Sequence, residues 1–223
     1  MTHLKNDYNI DYQFIAIEGN IGAGKTTLSE RLAKDLDARL ILEQFTDNPF
    51  LPYFYENPER YALQVELFFM TERHKQLQEK FSNIDLFHKS TVADYFFLKT
   101  LLFAKNNLND DEYRLFKRLF KALNSSFAQP DLLIYLHRPI ETLLKNISNR
   151  GRDFESQIKP AYLETLQKAY FDYFEAHPPF PIIVIHADES DFKTTDVHYH
   201  WLLKLLENKY NNEIYHFRPE KIL

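Results

Sequence analysis

Glycine is scarce in this chain, four in 223 residues, and three of the four fall in the stretch Gly19-Asn20-Ile21-Gly22-Ala23-Gly24-Lys25-Thr26-Thr27. A residue without a Cβ lets the backbone turn tightly and approach a ligand closely, so this concentration marks a site. The stretch fits G-x-x-x-x-G-K-S/T, the pattern of a phosphate-binding loop. Its flanks agree with that reading. Gln13 to Glu18 is a short apolar run of strand type, and Thr27 to Leu36 places apolar residues at helical spacing. A strand, a loop and then a helix surround an anion with backbone N–H donors at a helix N-terminus. Lys25 is then expected to reach a transferring phosphate, and the Thr26 hydroxyl to hold Mg²⁺.

The rest of the chain predicts what surrounds the loop. Further strand-type runs are Arg39 to Glu43, Ser90 to Asp94, Asp131 to Leu136 and Pro181 to His186, and helical spacing covers 58–80, 96–106, 110–123, 139–149, 156–176 and 193–209. Near-continuous apolar strands alternating with helices indicate a parallel sheet covered on both faces. The expected fold is one doubly wound α/β domain over residues 1–223, its five-stranded parallel sheet flanked by helices, with ligands beyond the carboxyl ends of the strands. Three strands end at that edge in a carboxylate: Glu18, Glu43 and Asp94. For Glu18 two roles stand open, one in the chemistry and one in tying down the loop backbone.

Composition removes several classes. A net charge of −5 argues against a nucleic-acid polymer or an acidic membrane as partner, and the lack of cysteine excludes disulfides, thiol catalysis and cysteine zinc sites. The first residues carry neither an apolar signal core nor an arginine-rich presequence, and no apolar run approaches the roughly 18 residues of a membrane span. A cytoplasmic address is expected. The nine histidines show no metal-ligand spacing.

Two stretches beyond the loop resemble the deoxynucleoside kinase family, and in particular the bacterial purine enzymes. They are Glu43 to Tyr55 running into Asn57 to Phe69, and Pro130 to Leu136 followed by Asn149-Arg150-Gly151-Arg152-Asp153-Phe154-Glu155 and Tyr162. The similarity extends over roughly residues 12–195 and implies an ATP- and Mg²⁺-dependent kinase of nucleotide salvage, working as a homodimer on a small deoxynucleoside. It implies Glu43 as the general base that accepts the proton of a 5′-hydroxyl, Asp94 as a metal-holding acid, and Arg150 and Arg152 as arginines of a lid at about 149–156. Glu155 follows as a ligand of the sugar 3′-hydroxyl with Tyr55 as its partner, and Glu66 with Arg73 as readers of the base edge. Asp188 to Phe192 resembles the loop that covers adenine; Phe192 stacks on the ATP base in that reading and belongs to the core in the other.

Three departures qualify the resemblance. Glu66 stands where the family usually has glutamine; a carboxylate offers two acceptors, matching guanine N1–H and N2–H₂, so a guanine-type base is expected. Asp94-Tyr95-Phe96 replaces an acid-arginine-serine triplet, and Asn146 stands where a further arginine is common. Lys99, about a turn and a half beyond Asp94, is a candidate to offset the lost charge. Two rival readings remain beside the kinase. One is a nucleoside monophosphate kinase of thymidylate type, which would want basic residues where Glu43-Gln44-Phe45 supplies none; the other is a nucleotide-binding regulatory protein that has lost transfer.

Overall fold

The computed structural model describes residues 8–43, 48–82, 87–124, 127–152, 155–176, 179–188, 192 and 195–219. Gln44 and Phe45, residues 153 and 154 of the lid segment, and residues 189–191 after the fifth strand lie outside the described residues.

The apolar run at the start of the chain becomes β1 (Phe14–Gly19), buried at every position, as a strand covered on both faces must be. It leads into α1 (Lys25–Asp35), β2 (Arg39–Ile41), α2 (Leu51–Glu56), α3 (Pro58–Ser82), β3 (Thr91–Ala93), α4 (Leu98–Asn107) and α5 (Asp110–Asn124). The second half runs β4 (Leu132–His137), α6 (Ile140–Arg150), α7 (Pro160–Phe174), β5 (Ile182–His186), α8 (Asp196–Leu206) and β6 (Ile214–Phe217). The strands form one sheet in the order β2-β3-β1-β4-β5-β6, parallel throughout.

The sheet therefore has six strands, not five. The extra strand, β6, is four residues long and nowhere fully buried, so it lacks the apolar run that announces the others. Helix α2 was also unannounced. The helix expected over 156–176 begins only at Pro160, a residue suited to a first helical turn because it has no N–H to satisfy. Strands β2 and β3 stop short of the expected ends, leaving Glu43 and Asp94 just beyond them.

Alternation along the strands feeds two cores. Leu133 and Tyr135 of β4 face one with Ala16, Ile182 and Val184, and Leu132, Ile134 and Leu136 face the other with Ile15, Ile17 and Ile183. Strand β1 lies between β3 and β4, so the chain builds the sheet on one side of it with β2 and β3 and on the other with β4, β5 and β6. The loop after β1 opens at this reversal, where open α/β sheets leave a crevice. Among the described residues no helix is long and apolar enough to cross a membrane.

Two glycines show why the loop after β1 and the end of α6 need them. Gly22 has φ of +81°, and a Cβ there would stand 2.7 Å from the Leu143 carbonyl oxygen and 3.0 Å from Ile147 Cγ1, both on α6. Gly151 closes α6 with φ of +66°, its N–H reaching the Ile147 and Ser148 carbonyls, the left-handed end that glycine accepts most readily. Gly22→Ala is expected to lower stability by about 1–3 kcal/mol and to weaken ATP binding, measured by thermal melting and calorimetry. An unchanged melting temperature would show that the loop has more room against α6 than the distances allow.

Candidate active site

The phosphate loop is held from beneath before any ligand enters. Asn20 is buried, donates from Nδ2 to the Leu163 carbonyl of α7 at 2.7 Å, and accepts the Ile21 N–H at 2.8 Å. Asn146 of α6 donates to the Gly22 carbonyl at 2.8 Å, so the residue standing where an arginine was expected fastens the loop instead. Arg138 spans the Ala23 and Ala187 carbonyls, at 2.9 and 2.7 Å. Lys25 folds back over the loop, its Nζ donating to the Gly19 and Asn20 carbonyls at 2.9 and 3.1 Å. Burial, then the nearby Lys99 cation, brings its pKa down to about 8. A cavity of about 830 Å³ opens over this loop, bordered by Gly22 to Thr27, Glu43, Asp94, Arg150, Arg152 and Phe192.

Thr26 and Asp94 meet on the cavity floor. The Thr26 hydroxyl donates to Asp94 Oδ2 at 2.6 Å, and Asp94 Oδ1 accepts the backbone N–H of Glu43 at 2.5 Å. One carboxylate thus joins the loop to the end of β2. Among the described residues no group of three or more histidines and carboxylates could form a metal cage.

Glu43 is enclosed by cations from two helices. Arg73 of α3 donates from Nε to Oε1 at 2.8 Å, with Nη2 2.7 Å from the same oxygen, while Lys99 of α4 donates to Oε2 at 2.6 Å. All three are buried. Burial alone would raise the carboxyl's pKa, but Lys99 and Arg73 hold it well below the usual carboxylate range. Oε1 thus receives two donors and Oε2 one, which leaves Oε2 with an open lone pair. Arg73, expected beside Glu66 at the base edge, places its guanidinium on Glu43 and, through Nη1, on Thr100 Oγ1 at 3.2 Å.

Tyr95 turns into the core. It is fully buried, and its hydroxyl donates to Gln76 Oε1 at 2.7 Å, while Gln76 Nε2 holds the Leu42 carbonyl. A cation at Lys99 therefore stands beside the acid while position 95 supports the end of β2. Glu18 has the structural role, but not on the loop: Oε1 accepts the Phe96 N–H at 2.7 Å and Oε2 the Tyr170 hydroxyl at 2.9 Å. It fixes the turn between β3 and α4.

A second, smaller pocket lies between α2, α3, α4 and α7. Its walls include Phe54, Tyr55, Val65, Glu66, Phe69, Phe103 and Tyr162, and it shares Gly22, Lys25 and Arg150 with the large cavity. Only about 70 Å³ of it is open, well under the roughly 300 Å³ of a typical small-molecule site, so a ligand the size of a nucleoside enters by displacing side chains. Glu66 is buried; Oε1 accepts from Asn107 Nδ2 at 2.6 Å, and Oε2 has no partner. Burial pushes its pKa up to about 7, against the Asn107 hydrogen bond and the more distant Arg73 and Lys99.

The two arginines expected in a lid are not turned to the phosphate cavity alone. Arg150 donates through Nε to Glu155 Oε2 at 3.0 Å and through Nη2 to the same oxygen, and Arg152 Nη1 lies 3.4 Å from Oε1. Glu155 is thus paired with both arginines rather than with Tyr55, whose phenol is raised above its usual range by burial and then by Glu155 and Glu66. Phe192 is buried in the core beside Tyr199 and only borders the large cavity.

Asn107 and Arg138 were not singled out by sequence, and Tyr162 was noted there only as part of the resemblance. A signal existed for α4, where Lys99, Phe103 and Asn107 recur every four residues and line one pocket, the spacing that puts side chains on one helix face. Arg138 had none, since its partners are backbone carbonyls.

Comparison with known proteins agrees with this geometry. The sequence profile of the family described as deoxynucleoside kinase matches residues 15–213. The deoxyguanosine kinase of Bacillus subtilis (strain 168) is 36% identical over 183 residues, covering 80% of this chain and 88% of its own length. A deoxyadenosine kinase of Lactobacillus acidophilus is 31% identical over 196 residues, covering 82% of this chain and 89% of its own. The structure of M. mycoides deoxyadenosine kinase with bound dATP superimposes with a TM-score of 0.74 at 27% identity, over 88% of this chain and 100% of that one.

Proposed function

This chain belongs to the deoxynucleoside kinase family, and on that premise we propose that it transfers the γ-phosphoryl group of ATP to the 5′-hydroxyl of a purine deoxynucleoside, with guanine favoured. The phosphates lie over Gly19 to Thr27 and Lys25; the deoxynucleoside occupies the smaller pocket beside Glu43, Tyr55, Glu66 and Glu155. Thr26 and Asp94 fit a Mg²⁺ ion, because one hydroxyl and one carboxylate side by side suit a cation that takes its other ligands from phosphates and water. That ion supplies charge neutralisation on the phosphates. The resemblance carries the proposal to a homodimer of single-domain subunits.

Glu43 orients the hydroxyl. A carboxylate kept so acidic is a weak base, which suffices when the transition state is loose and the hydroxyl keeps its proton until late. Oε2, with its open lone pair, is the acceptor. Arg150 and Arg152 meet the dispersed phosphoryl charge when they leave Glu155. A monophosphate acceptor is disfavoured, since its phosphate would approach the Glu43 carboxylate.

The single observation behind the guanine reading is the unpartnered Oε2 of the buried Glu66. With Arg73 engaged elsewhere, Glu66 and Asn107 are left to face the base. At about pH 8 with Mg-ATP, kcat/KM for deoxyguanosine is expected to exceed that for deoxycytidine and deoxyadenosine by about tenfold or more. Efficient use of either of those two with poor use of deoxyguanosine would reject it.

A further inference from the structure

The pocket between α3 and α4 gives Glu66 two unequal oxygens. Asn107 Nδ2 donates to Oε1 and also reaches the Tyr162 hydroxyl at 3.2 Å, while its Oδ1 accepts from Asn106 Nδ2 at 3.0 Å. Oε1 is an acceptor in this arrangement. Among the described residues Oε2 is buried and without a partner, so it is the oxygen that takes up a proton when the side chain is neutral.

Resting on the reading that Glu66 faces the base edge, we propose that this one residue recognises two purines, guanine as a carboxylate and adenine as a carboxylic acid. In the ionised state both oxygens accept, matching guanine N1–H and N2–H. In the neutral state the Oε2 hydroxyl donates to adenine N1 while Oε1 accepts from the adenine N6 amino group. A buried site that hydrogen-bonds its ligand penalises the wrong donor–acceptor pattern strongly, because each mismatch leaves a polar group unpaired. The proton thus exchanges one base for the other, the purine turning so that its N1 and C6 edge, rather than its N1 and C2 edge, meets Glu66.

The surroundings permit both states. Arg73 lies on the same helix, and Lys99 and Asn107 face Glu66 from α4. Tyr55 comes from α2 and Tyr162 from α7, with Lys25, Arg150 and Glu155 farther along the pocket wall. Arg73 and Lys99 favour the carboxylate, but both are already spent on Glu43. Burial outweighs them and centres the titration at about 7. Below that value the side chain carries its proton and suits adenine; above it the proton is lost and guanine is preferred.

The test is the ratio of kcat/KM for deoxyguanosine over deoxyadenosine in the wild-type protein with Mg-ATP, followed from about pH 5.5 to about pH 8.5. Taking the ratio at each pH cancels the titration of groups common to both reactions, and neither purine titrates in that window. A single proton allows at most a tenfold change per pH unit, and the ratio is expected to rise by about tenfold or more across the range. Glu66→Gln, which fixes one acceptor and one donor, is expected to favour deoxyadenosine with a ratio independent of pH. A flat wild-type ratio with deoxyguanosine always dominant overturns this inference and leaves the guanine reading standing. Poor use of deoxyguanosine at every pH overturns both.

Discussion

Glu43→Gln is expected to lower kcat for deoxynucleoside phosphorylation by roughly 10²–10⁴-fold, with ATP still raising the melting temperature of the variant. Glutamine keeps the shape of the side chain but removes the charge that Arg73 and Lys99 surround, and it puts an amide where one carboxylate oxygen had been. The hydroxyl then loses its acceptor, while the loop that holds the phosphates, anchored by Asn20, Asn146 and Arg138, is untouched. Steady-state rates and a thermal shift with ATP separate the two. A variant that retains more than about a third of the wild-type kcat, well outside the range for loss of a general base, would remove Glu43 from the chemistry.

Arg73→Met is expected to reduce stability by about 3–5 kcal/mol, because breaking a buried ion pair leaves the remaining charge without its partner in a medium that solvates it poorly. For a chain of this size that corresponds to a fall in melting temperature on the order of 10 °C. Lys99 alone would face Glu43, and Thr100 would lose its donor as well. Differential scanning calorimetry reads the change directly. A shift of less than about 2 °C, under 1 kcal/mol on the same scale, would mean that the pair is relaxed by water and that Lys99 suffices to hold the acid.

Both expectations turn on contacts that sequence could not supply. The strands with unbroken apolar runs, the loop after the first of them and the cluster of acids at the sheet's functional edge were all legible, since each is a local pattern. What escaped was direction. Tyr95 follows Asp94 immediately, yet one side chain turns to Thr26 and the other to Gln76 in the core. Glu18 ends a strand pointing toward the loop, but its carboxylate is taken by Phe96 and Tyr170, far along the chain. Helical spacing correctly placed Glu66 and Arg73 on one face of α3; it could not show that Arg73 is claimed by an acid thirty residues earlier. β6 escaped for a different reason, its half-exposed residues carrying too little apolar pattern to stand out.

Glu155 holds Arg150 and Arg152 through a single carboxylate that is itself buried. Any ligand that takes over that carboxylate breaks both of these ion pairs at the rim of the phosphate cavity. If those arginines act on the phosphates as proposed, the ion pairs form a coincidence detector: ATP by itself would meet a site short of their charge until an acceptor engages Glu155. Such an arrangement would protect the nucleotide from idle hydrolysis while the acceptor is absent.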